Sequence, residues 1–191
     1  MYSVFKPLWR SWRNQVVQAK LHTPLSPFHE LDSGADWWEA RPLQSPLPPL
    51  TFAVNKRAPF LDNYRTDWSF DLYSAKLIEL LRNAGILFEI FPATLIDYKT
   101  NEPLSQQYAV FHLLETHPCI DIEQSGHGTL TLSDDCLQHG RPLFRPAEAI
   151  QLVLIHQSLQ TQLDAAQITG CAYELLSRYG NTPVFPPRYD R

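Results

Sequence analysis

The sequence predicts a mixed α+β fold: a mainly antiparallel sheet, two principal helices and a Pro/Trp-rich N-terminal arm. Three observations lead there. Apolar residues make up 44% of the 191, which is enough for one sizeable core. After Asp67, segments with helical and strand spacing alternate as helix–strand–strand–strand and then strand–helix–strand. Before Asp67, proline is dense yet tryptophan persists.

The arm, residues 1–66, carries Pro24, Pro27, Pro42, Pro46, Pro48, Pro49 and Pro59. Proline fixes φ and removes a backbone donor, so long helices and central strands are disfavoured. The same stretch holds Trp9, Trp12, Trp37, Trp38 and Phe52, more aromatic surface than a disordered tail carries. The expectation is an extended arm whose rings pack on the body, with short strands at Val16–Leu21 and Leu50–Val54.

The body, residues 67–191, begins its regular pattern at Ser74. Leu77, Leu80, Leu81 and Ala84 recur at helical spacing, and Gly85 stands where a left-handed residue ends a helix. Ile86 to Phe91 reads as a strand that Pro92 ends, with Thr94 to Tyr98 either continuing it or forming a second strand. Tyr108 to Leu114 has the aromatic and aliphatic content of a strand. Cys119–Ile122 and Thr129–Leu132 read as shorter strands around the Gly126-His127-Gly128 turn. Leu152 to Ile155 is a short apolar run, as a buried strand requires. Ser158 to Gln167 has Leu159, Leu163 and Ala166 on one helical face and Gly170 as a stop. Cys171 to Leu176 closes as a strand.

Composition narrows the function classes. A net charge of −4 and a pI near 5.9 oppose a nucleic-acid partner, which calls for a basic excess or stripe. No apolar run approaches the roughly 20 residues of a membrane span, and Lys6, Arg10 and Arg13 interrupt any signal-peptide core. Cys119, Cys136 and Cys171 are odd in number and form no disulfide framework. These features predict a cytoplasmic chain with reduced cysteines and no membrane partner.

Candidate chemistry was sought residue by residue. His112, His117 and Cys119, with Cys136 and His139 at C-x-x-H spacing, are the candidate metal ligands. Structural zinc needs tight Cys/His pairs on both sides of a loop. Here Pro118 separates His117 from Cys119, and His112 alternates along a strand, so these residues read as unrelated turn and core positions. No G-x-S-x-G elbow, Walker A loop or dinucleotide fingerprint occurs. Glu115, Asp121, Glu123 and the Asp134-Asp135 pair read as a solvated rim. The expectation is no metal, no cofactor and no catalytic residues. The rival reading is a metal-dependent hydrolase using His112, His117, Asp121 or Asp134-Asp135.

A surface reading remains. Trp37-Trp38, flanked by Asp36 and Glu39-Ala40-Arg41, joins the residue types most enriched at interface hot spots. Alternation along an extended chain turns one ring inward as an anchor and the other outward towards a partner. Trp37, Trp38 and Arg41 are therefore the candidate binding residues.

The order of segments across Asp67–Leu176 resembles family eleven of the immunity proteins of bacterial polymorphic toxin systems. The resemblance is carried by Ser74–Leu81 running into Ile86–Leu95, by Gln107–Leu114 with His112, and by Cys119-Ile120-Asp121. It continues through Leu143-Phe144-Arg145 and the run Leu152–Gly170, which ends Ile168-Thr169-Gly170. The resemblance implies a non-enzymatic inhibitor that binds a toxin domain encoded by an adjacent gene. Such toxins travel by contact-dependent or type VI secretion routes, and the inhibitor protects the producing cell. No catalytic residue transfers with it. A secretion-apparatus adaptor without inhibitory role is a further alternative.

Overall fold

The computed structural model describes residues 1–8, 11–12, 15–16, 18–23, 40–43, 47–67, 71–104, 106–125 and 129–179. Its architecture is mixed α+β with mostly antiparallel sheets, as the sequence predicts. The strands in chain order are β1 (Tyr2–Pro7), β2 (Ser11–Trp12), β3 (Gln15–Val16), β4 (Lys20–Leu21), β5 (Leu50–Val54), β6 (Asn63–Arg65) and β7 (Asp71–Ser74). Helix α1 (Ala75–Asn83) follows, then β8 (Phe88–Asp97), β9 (Tyr108–Leu113) and β10 (Thr116–His117). The chain ends its described course with α2 (Asp134–His139), β11 (Leu143–Pro146), β12 (Leu154–His156), α3 (Gln157–Ala165), β13 (Cys171–Glu174) and a 3₁₀ turn at Leu176–Tyr179.

Among the described residues the strands form a five-stranded sheet, β10-β11-β12-β1-β13, and a six-stranded sheet, β4-β5-β8-β9-β7-β6, with β2 and β3 as a separate pair. The pairings are antiparallel except β5 with β8 and β10 with β11. Residues 1–66 supply β1 to the middle of the first sheet and β4, β5 and β6 to the second. The described strands of the predicted arm are thus parts of the sheets themselves.

Strand alternation explains how one sequence fills three apolar layers, because successive side chains point to opposite faces. Leu72 and Tyr73 part company at β7, as do Val110 and Phe111 at β9. Leu72 and Val110 join Phe52, Leu61, Tyr64 and Leu95 on one face of the six-stranded sheet. Tyr73 and Phe111 stack at 4.4 Å between ring centroids on the other face. There they meet α1 through Leu77 and Leu81, α3 through Leu159 and Leu163, and the five-stranded sheet through Phe5, Leu143 and Ile155. Phe144 and Leu154 face away from that middle layer and pack with Tyr2, Val4, Ile120 and Leu152 in the third. Every residue of β9 is buried, so its continuous apolar reading follows from cover on both faces.

Both predicted helices form, within one or two residues of the ends read. Ser74 caps α1: its hydroxyl accepts the Leu77 N–H at 3.2 Å. Gly85 follows with φ +75°, the left-handed stop expected of it. Four expectations are corrected. The chain of β8 runs straight through Pro92 to Asp97. This is tolerated because β5 begins its pairing only opposite Ala93, so no strand lies on that side of Pro92 needing a donor. Helix α3 ends at Ala165, two residues before the expected Gln167, and Gln167 at φ +54° rather than Gly170 takes the left-handed position that stops it. Cys119–Ile122 and Thr129–Leu132 meet only in one bridge, Ile120 to Leu132. The sequence reading places no helix after Thr129–Leu132, yet α2 forms at Asp134–His139 behind the Ser133 cap, with Asp134 and Asp135 exposed as expected of a rim.

Candidate functional site

A polar pocket forms where the chain turns from β10 into α2. His117 ends β10, which is held parallel to β11 through Thr116 and Arg145 and by the Ala147 N–H donating to the His117 carbonyl at 2.8 Å. The next turn is fixed from below. The buried carboxylate of Glu148 accepts the N–H of Cys119 on both oxygens at 3.1 Å and that of Ile120 at 3.3 Å. Cys119 is joined by a disulfide to Cys136 on α2, with Cα atoms 5.1 Å apart. That link corrects the expectation of three reduced cysteines; Cys171 alone stays free. Sequence spacing gave no sign of the pair because Ser133 and its helix fold back over the turn.

Helix α2 then presents Asp135 and His139 one turn apart, 3.3 Å between carboxylate and imidazole. Gly140, at φ +57°, ends the helix and delivers Arg141 beside Glu115 at 4.0 Å. The resulting cavity of about 130 Å³ is walled by His117, Asp135, His139 and Arg141 over Pro118, Cys136 and Phe144. The Nε2 atom of His117 is buried and has no hydrogen-bond partner. Burial, then the positive charges of Arg141 and His139, hold this imidazole's pKa below its ordinary value. Burial raises the Glu115 carboxyl, with Arg141 opposing.

The structure therefore gathers His117, Cys119, Cys136 and His139, four of the five candidate metal ligands, but the two sulfurs are bonded to each other. Among the described residues no three His, Cys, Asp or Glu side chains converge as a metal cage. His112 lies elsewhere, fully buried on β9 with Nδ1 at 3.3 Å from Glu89. Asp121 accepts the Gln124 N–H at 3.0 Å inside a turn. Of the hydrolase residues of the rival reading, His117 and Asp135 share the pocket, whereas His112 and Asp121 lie elsewhere. A further carboxylate, Asp62, accepts from Ser74 Oγ at 2.6 Å and from both N–H and Oγ1 of Thr169 at 2.9 Å. With its lone pairs so engaged, it serves as a clamp between loops.

On the opposite sheet, α1 covers β9 but leaves β8 open. Ile90, Pro92 and Thr94 face this gap and, with Ala75, Ile78 and Arg82 of α1, line an apolar groove of about 470 Å³ floored by Ala109. Ile90 is 37% exposed. Arg82 lies 5.8 Å from the Phe88 ring centroid, a cation–π contact at the rim. Ending the strand at Pro92 hid this groove. The alternation of Ile90, Pro92 and Thr94 against Phe91, Ala93 and Leu95 is the signal that would have found it.

Of the candidate binding residues, Trp37 and Trp38 lie outside the described residues. Arg41 is exposed, two residues before Leu43, whose N–H donates to Glu89 of β8 at 3.1 Å. The stretch carrying Arg41 therefore meets β8 one residue from Ile90.

Fold and sites together define a two-sheet α+β protein with a polar pocket at α2 and an open apolar groove at β8. No protein-family model matches this chain, and no curated protein matches it. No helix among the described residues is long and apolar enough to cross a membrane.

Proposed function

We propose that this protein is an immunity protein: it binds a cognate toxin domain in the cytoplasm of the producing cell and neutralises it. The family resemblance across Asp67–Leu176 motivates the reading, and the open groove between α1 and β8 is the observation that carries it. An apolar face of this kind, rimmed by Arg82 and Gln107, suits a protein surface, because its burial releases ordered water while the rim supplies polar contacts. Trp37, Trp38 and Arg41 are the proposed toxin-binding side chains, and of these Arg41 belongs to the stretch that meets β8. The net charge of −4 favours a basic toxin domain by steering its approach. Protection requires near-complete occupancy, so the affinity is about nanomolar, near −12 kcal/mol. Inhibition follows from covering the toxin's active or target-binding surface, and needs no catalytic group.

A co-expression rescue tests the reading. The gene adjacent to this one is induced in a bacterial host with and without this chain while growth is followed. Growth restored together with an isolable complex is the expected result. A neighbour that is harmless alone, or lethal despite soluble expression of this chain, contradicts the pairing.

A further inference from the structure

The pocket at α2 lies on the five-stranded sheet, away from the groove, and we propose that it binds a compact oxyanion, a phosphate or carboxylate group. Its walls bring together two imidazoles, His117 and His139, and the guanidinium of Arg141. These are the side chains that donate charge-assisted hydrogen bonds to such groups. The buried Nε2 of His117 has no partner. A buried polar atom left in that state costs about 1–3 kcal/mol, which a bound oxygen would relieve. The cavity holds roughly four water volumes, taking about 30 Å³ each, so a phosphate- or carboxylate-sized group fits. Phe144, edge-on to His117 at 5.8 Å, and Pro118 form an apolar floor that strengthens any charge pairing above it.

The opposing groups set the conditions. Asp135 faces His139 and Glu115 faces Arg141, each a carboxylate an anion must compete with. Among the described residues, no carboxylate is paired with the His117 ring. Tyr2, edge-on to Phe144 at 5.6 Å, stays neutral because burial raises its phenol. The guanidinium of Arg141 disfavours a cation in the same space. Binding therefore tightens as the pH falls below the ordinary imidazole range, where His117, its pKa lowered by burial, gains its proton. Protonation of Glu115 acts in the same direction.

The test titrates the full chain with inorganic phosphate and, separately, acetate at about pH 6 and constant ionic strength, following the histidine ring signals by NMR. Saturable movement of the His117 signals with at least one anion, at a Kd of about 1 mM or tighter, is expected. Arg141→Gln should weaken that binding about tenfold or more. Asp135→Asn removes a competing carboxylate from a side chain 81% exposed, and should tighten binding while leaving the fold intact. Phosphate-only or acetate-only saturation identifies which oxyanion the pocket takes. No saturable shift with either anion, or weaker binding in Asp135→Asn, overturns the proposal.

Discussion

At the scale of single residues, two partly buried carboxylates give opposite lessons. Asp62 joins Ser74, 12 residues away, to Thr169, 107 residues away. Such separations leave no mark in a sequence pattern, so the clamp was not legible there. Asp62→Ala should lower stability by about 2 kcal/mol, the scale of lost bonds to a charged group, read as a shift in the urea midpoint. Asp71 is the second case. Burial lifts its carboxyl from 3.8 to about 7, with Arg145 and Arg65 opposing the rise. The folded state then holds this proton more tightly than the unfolded chain. Its contribution to stability is present below pH 3.8 and is lost as the pH rises through about 7. Asp71→Asn should flatten the stability profile across that window, which denaturation at a series of pH values measures. His117 and His139 were singled out by residue type alone. Their meeting depends on α2, a helix of six residues too short to show a periodic pattern in the sequence.

At the scale of elements, periodicity carried far where a segment has a clear buried stripe. Leu77 and Leu81 of α1 and Leu159 and Leu163 of α3 are buried as their spacing requires. It failed where one residue was given too much weight. Pro92 was taken to end a strand, yet it needs no donor on the side where β5 has not begun. Gly170 was taken to stop α3, but its role is spatial. It stands at φ +82°, and a Cβ there would collide with the Asn63 carbonyl as β6 passes. Gly170→Ala should cost more than about 2 kcal/mol, combining left-handed strain with that collision. The true end of α3 has a non-glycine residue in the left-handed conformation, Gln167 at φ +54°. Gln167→Gly should raise stability by up to about 1 kcal/mol, because this exposed position gains no packing from its side chain. Thermal unfolding of the two variants gives shifts of opposite sign.

At the scale of the whole molecule, the N-terminal residues and the body share their sheets. Much of the Pro/Trp-rich stretch before Asp67 lies outside the described residues, and composition, which reports local preference, names no strand partners for the rest. β1 gains its partners from β12 and β13, 150 or more residues away, and buries Tyr2, Val4 and Phe5 in two different layers. The Cys119–Cys136 link closes a loop of 17 residues over the polar pocket. A Cys119→Ser, Cys136→Ser double variant should lose about 3 kcal/mol by restoring freedom to the unfolded chain, read from chemical denaturation under non-reducing conditions. The groove at β8 belongs to this scale too, since it exists only because α1 covers one part of a six-stranded sheet and leaves another open. Titration calorimetry of this chain against the purified product of the adjacent gene, with wild type and Ile90→Glu side by side, tests the toxin-binding proposal most directly. A one-to-one complex at a Kd of about 1 nM, weakened by more than about 2 kcal/mol in a folded Ile90→Glu variant, is the predicted result. No heat of binding, or equal affinity for both proteins, would contradict it.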